Sequence, residues 1–124
     1  MTQLEKAKAG TITEEMKKAS GRENMEPETF RQQMADGRIV LVKSTLRTVE
    51  PLAIGAGCTV KVNANIGTSG HCASVEHECA KLEAAVTCGA HAVMDLSTGG
   101  DIDLTRKAIL EASSVPVGTV PIYQ

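Results

Sequence analysis

Matching positions in three strand-like stretches, "CTVKVNA" with the residues after it, "HAVMDLS" and "VPVGTVPIY", recur at one spacing. Asn65, Met94 and Tyr123 lie 29 residues apart. That is the length of a strand, a crossover helix and the next strand. Helical patterns fill the gaps, one from about Ser74 to Cys88 with Gly89 as its stop, the other from about Ile102 to Ala112. Two consecutive right-handed crossovers make a three-stranded parallel sheet, and a parallel sheet needs helices to cover it. The expected class is α/β. Sequence order alone leaves two architectures open, a doubly wound sheet and the first three strands and two helices of a (β/α)8 barrel. In both, three strands with two helices leave sheet edges and one face uncovered. A chain that stops at "VPIYQ" reads as incomplete, cut where the next unit would begin.

The first 57 residues have another character. "TITEEMKKAS" places Thr11 three residues before Glu14, the spacing of a capping box, and continues as a short charged helix. "EPETFRQQMADG" signals a second helix, with Pro27 suited to the first turn and Gly37 to the position after the last. "RIVLVKS" reads as a strand, and "LRTVEPLAIGAG" as an irregular connection punctuated by Pro51, Gly55 and Gly57. The expected division is a small α+β region over residues 1–57, followed by an α/β domain that begins at residue 58.

Composition narrows the function. A net charge of −2 offers no field for nucleic acid or an anionic membrane surface. One Phe, one Tyr and no Trp give no stacking platform for single-stranded nucleic acid. No apolar run approaches the ~20 residues of a membrane span, and "MTQLEKAKAG" lacks the order of a secretory signal, so the expected location is cytoplasmic. Cys58, Cys72, Cys79 and Cys88 are then free thiols by default, and their spacing matches neither a zinc knuckle nor a cluster motif. His71, His77 and His91 do not share a metal-binding spacing either.

Ligands of parallel α/β folds gather where strands end and loops leave for the next helix. The first such end offers Asn63, Asn65, Gly67, Thr68 and Ser69. The second offers Met94, Asp95 and the loop "STGGD"; the third, Thr119 and Tyr123. Each has a functional and a structural reading. Asn65 either contacts a ligand or turns the loop; Asp95 takes a proton, binds a hydroxyl or positions a loop; Asp101 reads as the cap of the following helix. Met94 reads as core, and Tyr123 as core or as a hydroxyl presented to a ligand. "STGGD" could bare backbone N–H groups to phosphate, yet it has neither the P-loop Lys nor the full GxGxxG.

Three of these segments in order, "KVNANIGTS", "MDLSTGGDID" and "VPVGTVPIYQ", together with the opening "MTQLEKAKAGTITEEMK", resemble the N-terminal portion of the phosphomethylpyrimidine synthase (ThiC) family of thiamine biosynthesis. The segment "VLVKSTLRTVEPLAIGAGCT" departs from that family's pattern. The resemblance implies a small N-terminal domain and then a (β/α)8 barrel, here incomplete. It implies an enzyme that uses S-adenosylmethionine and a 4Fe–4S cluster to rearrange 5-aminoimidazole ribotide, by a radical, into hydroxymethylpyrimidine phosphate. It further implies a homodimer and a second zinc or iron site in the full-length enzyme. By the same resemblance Asn65, Met94 and Tyr123 are the substrate-binding residues of this chain. The family's cluster cysteines, in a C-x-x-C-x-x-x-x-C motif, have no counterpart here. The resemblance therefore makes this chain a truncated N-terminal part, inactive alone. A 5-hydroxybenzimidazole synthase paralogue shares the same motifs and substrate. The alternative from another class is a non-catalytic module that binds a small ligand or a partner through its open sheet.

Overall fold

The computed structural model describes residues 1–123, and of Tyr123 the backbone alone. The chain forms two compact units, Met1–Val60 and Lys61–Gln124. Both helices and strands occur in each, so the mixed α/β class stands.

The first unit contains helices α1 (Gln3–Lys8), α2 (Glu14–Arg22) and α3 (Pro27–Ala35), then strands β1 (Ile39–Val42) and β2 (Leu52–Gly55). A capping box forms, though at Thr2 and Glu5 rather than at Thr11 and Glu14. Thr11 is otherwise engaged. Its N–H closes the end of α1 on the carbonyl of Lys6, past Gly10 in the left-handed region, and Thr13 caps α2 in its place. Pro27 does open α3, and Gly37, with φ +73°, follows its last turn. The stretch expected to be an irregular connection contains β2, which pairs antiparallel with β1 from Ile39–Gly55 to Val42–Leu52. Pro51 before it, Gly55 at its end and Gly57 just beyond mask this four-residue strand in the sequence. Ala7, Met16, Ala19, Phe30, Met34, Ile39 and Ala53 form this unit's core.

The second unit contains β3 (Asn63–Ile66), α4 (Val75–Thr87), β4 (Ala92–Asp95), α5 (Ile102–Ala112) and β5 (Val117–Thr119), followed by a 3-10 turn at Pro121–Tyr123. The three strands are parallel in the order β3-β4-β5. Ser74 and Asp101 cap the two helices, each side chain accepting a backbone N–H of the first turn. Two strand limits differ from expectation. Pairing along β3 starts at Asn63, not Cys58, and Val60 and Val62 stay exposed ahead of it. The third strand ends at Thr119, so Tyr123 lies beyond the ladder instead of at its tip.

Alternation then divides the sheet. Ala64 and Ile66 of β3, Val93 of β4 and Val117 of β5 pack with Leu82 of α4 and Ile109 of α5. Asn63, Asn65, Ala92, Met94 and Gly118 belong to the other face, which neither helix covers.

Candidate functional site

Parallel register sets Asn65 beside Met94 and Met94 beside Gly118, one row across the open face. Asn65 is exposed, and its Oδ1 accepts from Asn63 Nδ2 at 2.9 Å. Among the described residues its own Nδ2 has no acceptor, so a donor is left for a ligand. Met94 is half-buried and leans over the next strand: a Cβ on Gly118 would stand 2.9 Å from its Sδ. The row thus offers an amide and a polarisable thioether, which together suit a flat, polar heterocycle. The structure brings together two of the three residues expected here. Tyr123 is not in the row, and its side chain lies outside the described residues.

Asp95 turns the other way. It is 2% exposed on the helix side of the sheet, where Oδ1 accepts from the backbone N–H and the hydroxyl of Ser97 at 3.0 and 2.5 Å. Its Oδ2 lies 3.8 Å from Arg106 Nε, too far for a hydrogen bond. Of the three readings open for Asp95, the loop-positioning one matches this geometry.

The loops after β3 and β4 lock together behind the row. Thr68 donates its N–H to Ser97 Oγ at 3.1 Å and its hydroxyl to the Gly99 carbonyl at 2.6 Å, while its own carbonyl accepts from the Thr98 N–H at 2.9 Å. Two glycines permit this approach. A Cβ on Gly67, at φ +140°, would meet Ser97 N at 2.5 Å; one on Gly99 would collide with the backbone of Ser69 and Gly70. Of the two glycines of "STGGD", Gly99 therefore serves backbone packing, while Gly100, at φ +70°, lies against the Ala73 methyl.

Glu78, which the sequence analysis did not single out, sits under the same loop. Its carboxylate is 1% exposed and accepts the Gly67 N–H at 2.7 Å. Inside a charged helical turn such a residue looks like a solvated one, and no sequence signal distinguishes it. Gly118 was also missed; only its register with Met94 reveals its use.

The cysteines stand apart. Cys58 belongs to the first unit, Cys72 to the β3–α4 loop, Cys79 to α4 and Cys88 to its C-cap, all as free thiols. Cys72 Sγ lies 3.6 Å from His77 Nδ1, and His91 Nδ1 accepts the Val62 N–H at 3.0 Å. Among the described residues no three His, Cys, Asp or Glu side chains converge on one point. An iron–sulfur cluster does not fit these residues. No described helix is long and apolar enough to cross a membrane.

The family model for the radical SAM ThiC family matches residues 2–124. The chain belongs to this family. Among curated ThiC-family relatives, the phosphomethylpyrimidine synthase of Pyrococcus furiosus is 53% identical over 125 residues, that of Thermodesulfovibrio yellowstonii 50% over 124 and that of Methanocaldococcus jannaschii 48% over 124. Each match takes in all of this chain but only 29% of the relative's length. The ThiC match also runs through residues 40–59, the segment that departs from the pattern expected from motifs alone.

Proposed function

We propose that this chain is the opening part of a phosphomethylpyrimidine synthase, with residues 1–57 as its N-terminal region and the sheet of residues 58–124 as the first three strands of a (β/α)8 barrel. The observation that carries the reading is the row of Asn65 and Met94, abreast on the face that no helix covers. In a closed barrel that face is the lumen, and its C-terminal end is where substrates bind. Asn65 then hydrogen-bonds 5-aminoimidazole ribotide, Met94 packs its thioether on the imidazole plane, and Tyr123 contributes from the turn after β5.

In the full-length enzyme S-adenosylmethionine and a 4Fe–4S cluster supply the radical chemistry. The residues of this chain hold and orient the ribotide; its scattered cysteines do not ligate the cluster. The family resemblance likewise supports a cytoplasmic homodimer.

The test is made on the full-length enzyme, reconstituted anaerobically. Asn65→Ala is expected to raise KM for the ribotide about tenfold or more, as for one lost polar contact to a buried ligand, with kcat less affected. An unchanged KM would remove Asn65 from the site. Product analysis decides the chemistry: hydroxymethylpyrimidine phosphate supports the proposal, and 5-hydroxybenzimidazole replaces it with the paralogous reaction.

A further inference from the structure

The loop that follows Asn65 is gripped at one peptide from two sides. Glu78 Oε2 takes the N–H of Gly67 at 2.7 Å, and Lys81 Nζ reaches the carbonyl of the same residue at 3.4 Å. Lys81 Nζ also stands 2.6 Å from Glu78 Oε1, an ion pair without hydrogen-bond alignment. Both side chains come from the first half of α4, one turn apart, and Gly67 is two residues past Asn65.

Fold stability alone does not account for this arrangement. Sinking a carboxylate to 1% exposure is costly, and apolar replacements of buried ion pairs are often neutral or stabilising. What a buried charge gives here is position. A charge-assisted hydrogen bond from Gly67 to a carboxylate is short and directional, and the missing Cβ presses the other side of Gly67 onto Ser97 and Leu96. Gly67 is thereby fixed between α4 and the β4 loop, and the end of β3 is fixed with it.

We propose that Glu78, assisted by Lys81, is a positioning residue for ribotide binding: it sets where the Asn65 amide stands relative to Met94. The inference rests on the reading of Asn65 as a substrate contact. Glu78 acts through the Gly67 peptide that it holds, two residues past Asn65.

The experiment uses the full-length enzyme with 5-aminoimidazole ribotide as the probe. Calorimetry gives the ribotide Kd for Glu78→Gln, Asn65→Ala and the double variant, and hydrogen exchange is followed at the Gly67 and Thr68 amides. Glu78→Gln keeps an acceptor but loses the charge. It is expected to weaken ribotide binding about tenfold, to raise KM more than it lowers kcat, to speed exchange at Gly67, and to add nothing in the Asn65→Ala background, as for two residues acting on one contact. An equal further loss in that background overturns the inference, since it marks a general structural effect. So does an unchanged Kd in Glu78→Gln while Asn65→Ala binds weakly; that result leaves the substrate site intact. An unchanged Kd in Asn65→Ala overturns the reading of the site and this inference with it. If Glu78→Gln does not fold, Lys81→Met at a more exposed position releases the carbonyl side, and the same cycle applies.

Discussion

Met94 lies across the backbone of Gly118, with Sδ 2.9 Å and Cε 3.2 Å from where a Cβ on residue 118 would be. The Met94 side chain on the open face is thus seated on a strand that has made room for it. In the full-length enzyme Gly118→Ala is expected to cost about 1–3 kcal/mol, the usual range for overpacking, and to weaken ribotide binding by displacing the thioether. Thermal melts and ribotide titrations check the two effects. Unchanged binding would show that Met94 can shift without consequence.

Gly99→Ala is expected to be worse. Its new methyl would meet main-chain atoms of Ser69 and Gly70, which cannot rotate away as a thioether can. A loss of about 3 kcal/mol or more is expected, from the upper part of the range for single substitutions. Gly70→Ala is the internal control: nothing lies within 4 Å of its Cβ, and its φ is not in the positive range, so a change within about 0.5 kcal/mol is expected. Denaturant midpoints of the two variants give the comparison.

Arg31 ties α3 to α1. Its Nη1 donates to the Ala7 carbonyl at 2.5 Å, while Nε and Nη2 grip Glu28 and Nη2 also reaches Gln32. The planar fork makes these contacts at once, so Arg31→Lys is expected to behave like Arg31→Met and not like wild type. Limited proteolysis reads it. Both variants should be cut faster between α1 and α2, and a Lys variant as resistant as wild type would refute the geometric argument.

Glu15 gives the first unit a pH dependence. Its own backbone N–H at the start of α2, then Lys43 and Gln3, hold its carboxyl down from 4.5 to about 2. The folded-state value is depressed, so the ionised group stabilises the fold above about 4.5, and this contribution fades as pH falls toward 2. The side chain is 28% exposed, and solvent screening keeps the effect to about 1 kcal/mol. Glu15→Gln should therefore melt below wild type at pH 7, with the gap closing at pH 3.

Where the sequence carried long periodic patterns, the elements were readable. Residues 102–112 form α5 as expected, and α4 lies between the Ser74 and Cys88 expected to bound it. Short elements were read unevenly: four-residue β1 showed as the apolar run of "RIVLVKS", whereas four-residue β2 is masked by Pro51, Gly55 and Gly57 around it, and six-residue α1 has too few positions for a period to emerge. The neighbours Asn65 and Met94 were legible because strand alternation and a βαβ length decide both face and register. The third member of that spacing was not. Counting residues brings Tyr123 to the matching place, but pairing brings Gly118, because β5 ends at Thr119, short of the end of its apolar run. Glu78 was illegible for another reason, since burial of one carboxylate in a charged turn depends on the loop above it.

The alternation along β3 assigns neighbouring residues to different kinds of natural selection. Ala64 and Ile66 answer to the helices behind the sheet, and Asn63 and Asn65 to whatever fills the space in front. A protein of this design can exchange one ligand for another by editing every second position, at little cost to the helix-packed core. It cannot tolerate an inserted or deleted residue within the strand, because a shift by one would turn Ile66 onto the open face and Asn65 into the core at a stroke.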